Sequence, residues 1–124
     1  MELAFEKSEL LPAIVRHARQ GDVLMLGYMN RQAWELTLTT GFVTFFSRSR
    51  QRLWVKGETS GNRLRLIRAC TDCDGDAILL DAEIEGRQAV CHEGYRGCFF
   101  HEWRGAGFEA QGRRVFDPAE VYGQ

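Results

Sequence analysis

The sequence has no long apolar run and very little net charge. None of its apolar stretches approaches the roughly 20 residues that a membrane-spanning helix requires. The first ten residues, MELAFEKSEL, have acidic side chains where an export signal would carry a basic segment, so we expect a cytoplasmic protein without a membrane partner. A net charge of -1 and a pI of about 6.3 offer no general electrostatic footprint for nucleic acid, so any anion site must be local.

Repeats, low-complexity segments and linkers are also missing. At 124 residues, with 44% hydrophobic and 27% charged residues, the composition is that of an ordinary globular chain. Such a chain buries about two-thirds of its unfolded surface around one core, so we expect a single domain over residues 1–124. Its four cysteines, in a reducing cytosol, are metal ligands, catalytic groups or buried thiols more often than disulfides.

The first forty residues carry clear local signals. Aliphatic stretches at residues 11–18 and 22–29 flank Gly21 and Asp22, a pattern typical of a hairpin. Asn30 then suits the N-cap of a helix over residues 31–40, and Gly41 suits its C-terminal end. One side of this helix carries Ala33, Trp34, Thr37 and Leu38.

The rest of the chain is rich in strand patterns. Residues 57–62, GETSGN, have the composition of a loop, and after Trp103 the pattern weakens into a glycine-rich tail with a short helix from Pro118. The predicted strands are residues 42–48, 52–57, 63–72, 77–84, 87–92 and 98–103. The predicted fold class is α+β, a mostly antiparallel sheet with one main helix.

Three carboxylates and a thiol follow one another in DCDGD. On a strand, Asp72, Asp74 and Asp76 would share one face while Cys73 points to the other. Carboxylate oxygens suit Mg²⁺ or Ca²⁺ and thiolates suit Zn²⁺, so the segment could serve two metals. A solvated acidic turn is the ordinary alternative. An EF-hand is excluded, because Ala77 stands where glycine is required and the following residues form a strand pattern.

Two further thiols bracket the loop CHEGYRGC. Cys91 and Cys98 could join Cys73 as three zinc ligands, which leaves the fourth position for water, as in catalytic sites. His92 is either the base that assists such a site or simply a nearby or exposed histidine. Cys70 and Cys73 form a C-x-x-C without the second C-x-x-C of a zinc ribbon, so we interpret Cys70 as a buried core thiol.

A local excess of positive charge lies in residues 47–65. Its cations, hydroxyls and loop N–H groups form a candidate phosphate site, because charge and hydrogen-bond donors occur together. Trp54, at its centre, could stack on a base, although core packing is the commoner role. The candidate phosphate ligands are Arg48, Ser49, Arg50, Lys56, Thr59 and Ser60.

Five segments, in order, resemble the phosphoribosyl-AMP cyclohydrolase family. They are DVLMLGYMN (22–30), SRSR (47–50), LWVKGETSG (53–61), DCDGDA (72–77) and CHEGYRGCF (91–99). The resemblance covers residues 11–103 and leaves the tail, residues 104–124, outside it. It implies a one-step enzyme of histidine biosynthesis that opens the adenine ring of phosphoribosyl-AMP at the N1–C6 bond.

The resemblance also implies cofactors and an assembly. The family is an intertwined homodimer with one zinc per subunit, held by Cys73 of one chain and by Cys91 and Cys98 of the other. Asp72, Asp74 and Asp76 match its Mg²⁺ ligands, and His92 matches the histidine that assists the chemistry. The sequence departs from the family pattern at Gly27, usually alanine, at Phe45 and Phe46, where His, Tyr or Trp is common, and within the loop 92–97.

A second hypothesis comes from a different class of protein. The chain could be a non-catalytic zinc module that holds RNA or nucleotides on its basic loop. Such a module would bind zinc through four thiolates including Cys70, and its RNA binding would weaken steeply with salt. Replacing Cys70 therefore separates the two hypotheses, since the enzyme would keep its zinc and the module would lose it.

Overall fold

A computed structural model describes residues 1–122, so the last two residues of the predicted tail lie outside the described part. The elements, in chain order, are β1 (Leu11–His17), β2 (Val23–Met29), α1 (Arg31–Thr40), β3 (Thr44–Ser47), β4 (Arg52–Val55), β5 (Leu64–Thr71), β6 (Ile78–Ile84), β7 (His101–Trp103), β8 (Phe108–Ala110) and α2 (Pro118–Tyr122). The α+β class with one main helix is confirmed. No helix within the described residues is long and apolar enough to cross a membrane.

A four-stranded sheet in the order β2-β1-β6-β5 forms the framework. The β1–β2 and β5–β6 pairs are antiparallel hairpins, and β1 pairs with β6 in parallel at the centre. The β3–β4 and β7–β8 hairpins are separate two-stranded sheets. The sheet is therefore mostly antiparallel, as predicted, but its two halves are joined by one parallel pair that no local pattern indicated.

The main helix begins and ends where the sequence predicts. The Asn30 side chain accepts a hydrogen bond from the Ala33 N–H at 2.8 Å, and Gly41 ends the helix in the left-handed conformation with φ 81°. Of the side that carries Ala33, Trp34, Thr37 and Leu38, Ala33 and Thr37 are fully buried, whereas Leu38 is 50% exposed. The helix shows a narrower apolar face because it packs mainly on β3.

The Thr37 hydroxyl links the helix to β3 inside the core. It donates to the Ala33 carbonyl at 2.8 Å and accepts from the Thr44 N–H at 3.0 Å. Around it, buried side chains of α1 and β3 form one cluster with those of the large sheet, including Phe45, Leu80 and Val15. This cluster fixes the position of the β3–β4 hairpin on the sheet.

The predicted strand over residues 87–92 is wrong, and that over residues 98–103 is reduced to the three residues of β7. Ala89, Val90 and Cys91 are buried in succession, but none of them belongs to a strand. Their N–H groups bond locally instead, with Val90 N donating to the Arg96 carbonyl and Cys91 N to the Tyr95 carbonyl. The apolar run is therefore a buried loop. Strand β8, in the tail, was not predicted.

Candidate active site

A tight turn between β5 and β6 brings the three aspartates together. Its residues are held by a hydrogen bond from the Asp76 N–H to the Asp72 carboxylate at 3.1 Å and one from the Gly75 N–H to the Asp72 carbonyl at 3.2 Å. The carboxylate oxygens of Asp72, Asp74 and Asp76 lie within 4.8 Å of one another, and all three residues are exposed. Their clustering agrees with the prediction, but a turn and not strand alternation produces it.

Crowding of like charges changes the acidity of this cluster. Hydrogen bonds with Asp74 and Asp72 raise the pKa of Asp76 to about 6. At Asp72 desolvation is the largest single influence and acts to raise the pKa, but the hydrogen bonds with Asp76 and Asp74 and those from the backbone together outweigh it and lower the pKa of that carboxyl. A bound dication would relieve the repulsion among the three groups, so the donor set fits a hard metal ion and could hold one.

The loop 91–98 holds two thiols close to each other. The Cys91 N–H and the Gly94 N–H close the loop onto the Tyr95 and Cys91 carbonyls, and the Cys98 N–H donates to the Leu24 carbonyl of β2 at 2.7 Å. Cys91 is buried, and its sulfur accepts the Glu93 N–H at 3.5 Å. This contact holds the Cys91 sulfur against its own loop.

The electrostatics of the thiol pair also fit a cation. Burial, together with the neighbouring Cys91 thiol, raises the pKa of Cys98 to about 11, while Lys56 opposes that rise. In return, burial lowers the pKa of the Lys56 ammonium, and the Cys98 and Cys91 sulfurs partly offset that effect. Lys56 is thus a direct electrostatic neighbour of the thiols. A zinc ion at this pair would stabilise both thiolates.

Cys73 does not join these two thiols within one chain. Among residues 1–122, Asp72, Asp74 and Asp76 form the one group of three Cys, His, Asp or Glu side chains whose ligand atoms lie within 4.8 Å of one another. Cys73 is exposed on the β5–β6 turn, and Cys70 is only partly buried on β5. The predicted burial of Cys70 in the core is therefore wrong, because Cys70 pairs with Leu79 and so lies on the face of the sheet opposite the core.

A pocket of about 480 Å³ lies beside the thiol loop. Five of the six candidate phosphate ligands line it, and the exposed His92 forms part of the same wall. The residues that sequence analysis predicted and that line the pocket are Ser49, Arg50, Lys56, Thr59, Ser60 and His92. The pocket thus unites cations and hydroxyls with a histidine from 32 positions later in the chain.

Two short turns build the cationic wall. Between β3 and β4, the Ser47 hydroxyl accepts the Arg50 N–H at 3.2 Å, and Gln51 has a left-handed φ of 51°. In the loop that follows β4, Gly57 has φ 86° and lies so close to the Asn62 backbone that no Cβ could fit. Tight turns of this kind direct several side chains and N–H groups into one small volume.

Arg48 is the predicted phosphate ligand that lies elsewhere. Its guanidinium carbon stands 4.2 Å from the centre of the Tyr28 ring, beside a neighbouring hollow. Sequence analysis did not assign Ser47, Arg52 or Tyr122 to the site, although all three line the pocket. The SRSRQR composition hinted at the first two, whereas nothing in the local sequence indicated that Tyr122 returns to this wall.

Comparison with known proteins agrees with this arrangement. Residues 25–100 match the family described as phosphoribosyl-AMP cyclohydrolase. The chain is 47% identical over 124 residues to the phosphoribosyl-AMP cyclohydrolase of Solibacter usitatus, covering 99% of this chain and 98% of that protein. It is 51% identical over 123 residues to the enzyme of the same name from Desulfatibacillum aliphaticivorans, with 98% of each covered. The chain belongs to the phosphoribosyl-AMP cyclohydrolase family.

Proposed function

We propose that this chain hydrolyses the adenine ring of phosphoribosyl-AMP at the N1–C6 bond, a step of histidine biosynthesis. The observation that carries the proposal is the similarity to proteins named for this activity, which are 47% and 51% identical to this chain over nearly its full length. The pocket supports it, since a nucleotide with two phosphates requires cations and hydroxyls beside a group that can move protons. The product would be an imidazole carboxamide nucleotide.

The phosphate end of the substrate would bind along residues 49–60. Ser49, Thr59 and Ser60 supply hydroxyls, and Arg50 supplies a guanidinium whose donors suit phosphate oxygens. Lys56 lies at the inner end of this wall, where its ammonium also neighbours the thiols. It would therefore stabilise negative charge on the substrate side and on the sulfur side of the pocket.

Cys91 and Cys98, with Cys73, would hold zinc, and Asp72, Asp74 and Asp76 would hold Mg²⁺. When bound, zinc supplies a water molecule acidic enough to act as a nucleophile near neutral pH. The fit of the thiol pair and of the carboxylate trio to cations supports both assignments. Because N1 substitution already makes the purine electrophilic at C6, the protein mainly has to position the ring and remove a proton.

His92 would move that proton. It follows Cys91 directly in the chain, so it would be near a metal held by that thiol, and it lines the pocket. An imidazole accepts and releases protons near neutral pH, which suits a general base that returns the proton to the ring nitrogen. His92 being exposed means that the pocket must be covered by substrate before this transfer is shielded from water.

We further propose an intertwined homodimer that completes the zinc site. Since Cys73 does not meet Cys91 and Cys98 within one chain, a partner subunit would provide it. An apolar patch on the sheet face opposite the core supports such an assembly. Ile14, Leu26 and Leu79 stand side by side there on three neighbouring strands, and Leu26 is 40% exposed.

Organisation and location complete the proposal. The whole chain would act as one domain, with its core at residues 11–103 and a tail at 104–124, and would perform this single step. All four cysteines are free thiols, which supports a reducing compartment such as the cytoplasm. Within the described residues no four-thiolate cluster exists in one chain, and the structural zinc module remains the alternative that the Cys70→Ser variant tests.

The test is direct. Purified protein is given phosphoribosyl-AMP, and loss of the purine absorbance is followed with and without a zinc chelator. We expect turnover that the chelator abolishes and added zinc restores. Cys91→Ser should lose turnover and zinc, whereas Cys70→Ser, the matched control, should keep both. Full turnover by Cys91→Ser would contradict the proposal.

A further inference from the structure

The C-terminal segment returns to the pocket. Tyr122, in the short helix α2, lines the same pocket as His92 and Lys56, although it lies 30 positions after His92 in the sequence. It also lies beyond residues 25–100, the part of the chain that matches the family. Specific contacts hold the segment in this place.

Phe116 anchors the segment to the thiol loop. Its side chain is 6% exposed, and the N–H groups of Val115 and Phe116 both reach the Gly94 carbonyl, at 2.6 and 3.4 Å. Gly94 is buried with φ 93°, and a Cβ at that position would overlap the Phe116 carbonyl. The loop and the segment are therefore complementary at the backbone, a contact that leaves no room for a side chain.

Two arginines reinforce the anchor. The Arg87 guanidinium lies 5.4 Å from the centre of the Phe116 ring, and that of Arg114 lies 5.8 Å from the centre of the Tyr95 ring. Phe116 and Tyr122 are 6.4 Å apart between ring centres, so the anchored residue also limits where Tyr122 can go. The segment is thus fixed to the loop that carries Cys91, His92 and Cys98.

We propose that Tyr122 is a substrate-contact residue whose ring stacks on the purine of the bound nucleotide. The inference rests on the proposed function. Tyr122 is 42% exposed, so its ring still has surface to bury, and the cations and hydroxyls that line the same pocket already suit phosphate. The rings of Tyr122 and Trp54 both line the pocket. An N1-substituted purine carries a positive charge, which the face of an aromatic ring attracts.

The closing experiment compares Tyr122→Ala, Tyr122→Phe and Glu120→Ala by steady-state kinetics. Glu120 is exposed on the same helix and does not line the pocket, so it is the matched control. We expect Tyr122→Ala to raise KM about tenfold with little change in kcat, and Tyr122→Phe and Glu120→Ala to resemble the unmodified protein. Equilibrium binding of AMP should weaken in Tyr122→Ala alone.

The outcomes separate the two ideas. If the unmodified protein converts phosphoribosyl-AMP but Tyr122→Ala has the same KM and AMP affinity, the inference is overturned and the proposed function stands. A Tyr122→Phe variant as impaired as Tyr122→Ala would overturn ring stacking in favour of a hydroxyl contact. If the unmodified protein does not convert phosphoribosyl-AMP, the proposed function fails, and with it the inference.

Discussion

The Phe45 ring occupies the space that a side chain at Gly27 would fill. A Cβ atom at position 27 would lie 2.6 Å from two ring carbons of Phe45, which is fully buried on β3. The same ring stands 5.2 Å, centre to centre, from Trp54, whose side chain lines the pocket. The two departures from the family pattern, glycine at 27 and phenylalanine at 45, are therefore coupled, and they connect the sheet to the pocket wall.

Gly27→Ala should destabilise the protein by about 1–3 kcal/mol, the usual cost of overpacking a filled core. Phe45→Leu in the same chain should relieve the clash. The double variant should therefore lose less unfolding free energy than the two single variants lose together. Urea unfolding measures all four proteins. Gly107→Ala is the control, since nothing lies within 4 Å of its added Cβ. Additive losses would show that the two positions are independent.

Arg96→Met should weaken zinc retention about tenfold, because Arg96 ties the thiol loop to the β1–β2 turn. Its guanidinium donates to both Asp22 carboxylate oxygens, at 2.7 and 3.1 Å, and this pairing holds the pKa of Asp22 below its usual value. Competition with a chromogenic chelator measures the zinc affinity. Glu102→Gln, which breaks an exposed ion pair on β7, should leave the affinity unchanged.

Mixing two inactive variants should restore activity if the zinc site is shared between subunits. In a dimer of one Cys73→Ser chain and one Cys91→Ser chain, one of the two sites would have all three thiols. Unfolding and refolding an equal mixture should therefore recover about a quarter of the original activity and zinc. Each variant refolded alone should recover none. A mixture that stays inactive would contradict ligand sharing.

The Arg16–Asp81 pair should give stability that depends on pH. The hydrogen bond from Arg16, at 2.8 Å, lowers the pKa of Asp81, whose side chain is 12% exposed. A carboxyl with a lowered folded-state pKa contributes stability above its unfolded pKa of about 4 and loses that contribution as pH falls through the folded value. Asp81→Asn should therefore be less stable than the unmodified protein at pH 7, with a difference that shrinks below about pH 4.

Urea unfolding between pH 2.5 and 7 measures this difference. Glu109→Gln, which alters an exposed carboxylate on β8, is the matched control and should show no such trend. If the difference in unfolding free energy between Asp81→Asn and the unmodified protein stays constant down to pH 2.5, the ion pair does not contribute to stability through its charge.

Local spacing was enough to predict much of the fold. The turn at Gly21, the Asn30 cap and the Gly41 stop each depend on neighbours within a few residues, and each is found where the sequence indicates. Prediction failed over residues 87–100, because an apolar run at Ala89 and Val90 resembles a strand whether its partner is a neighbouring strand or its own loop.

The sequence by itself determined the groups that one short segment brings together, namely the three aspartates of the β5–β6 turn and the hydroxyls and cations of residues 49–60. The tertiary structure decided which of these segments meet. It placed Lys56 beside Cys91 and Cys98, and it brought Tyr122 to the same pocket as His92. These encounters join residues far apart in the chain, and such contacts depend on how the whole core packs, which local periodicity does not encode.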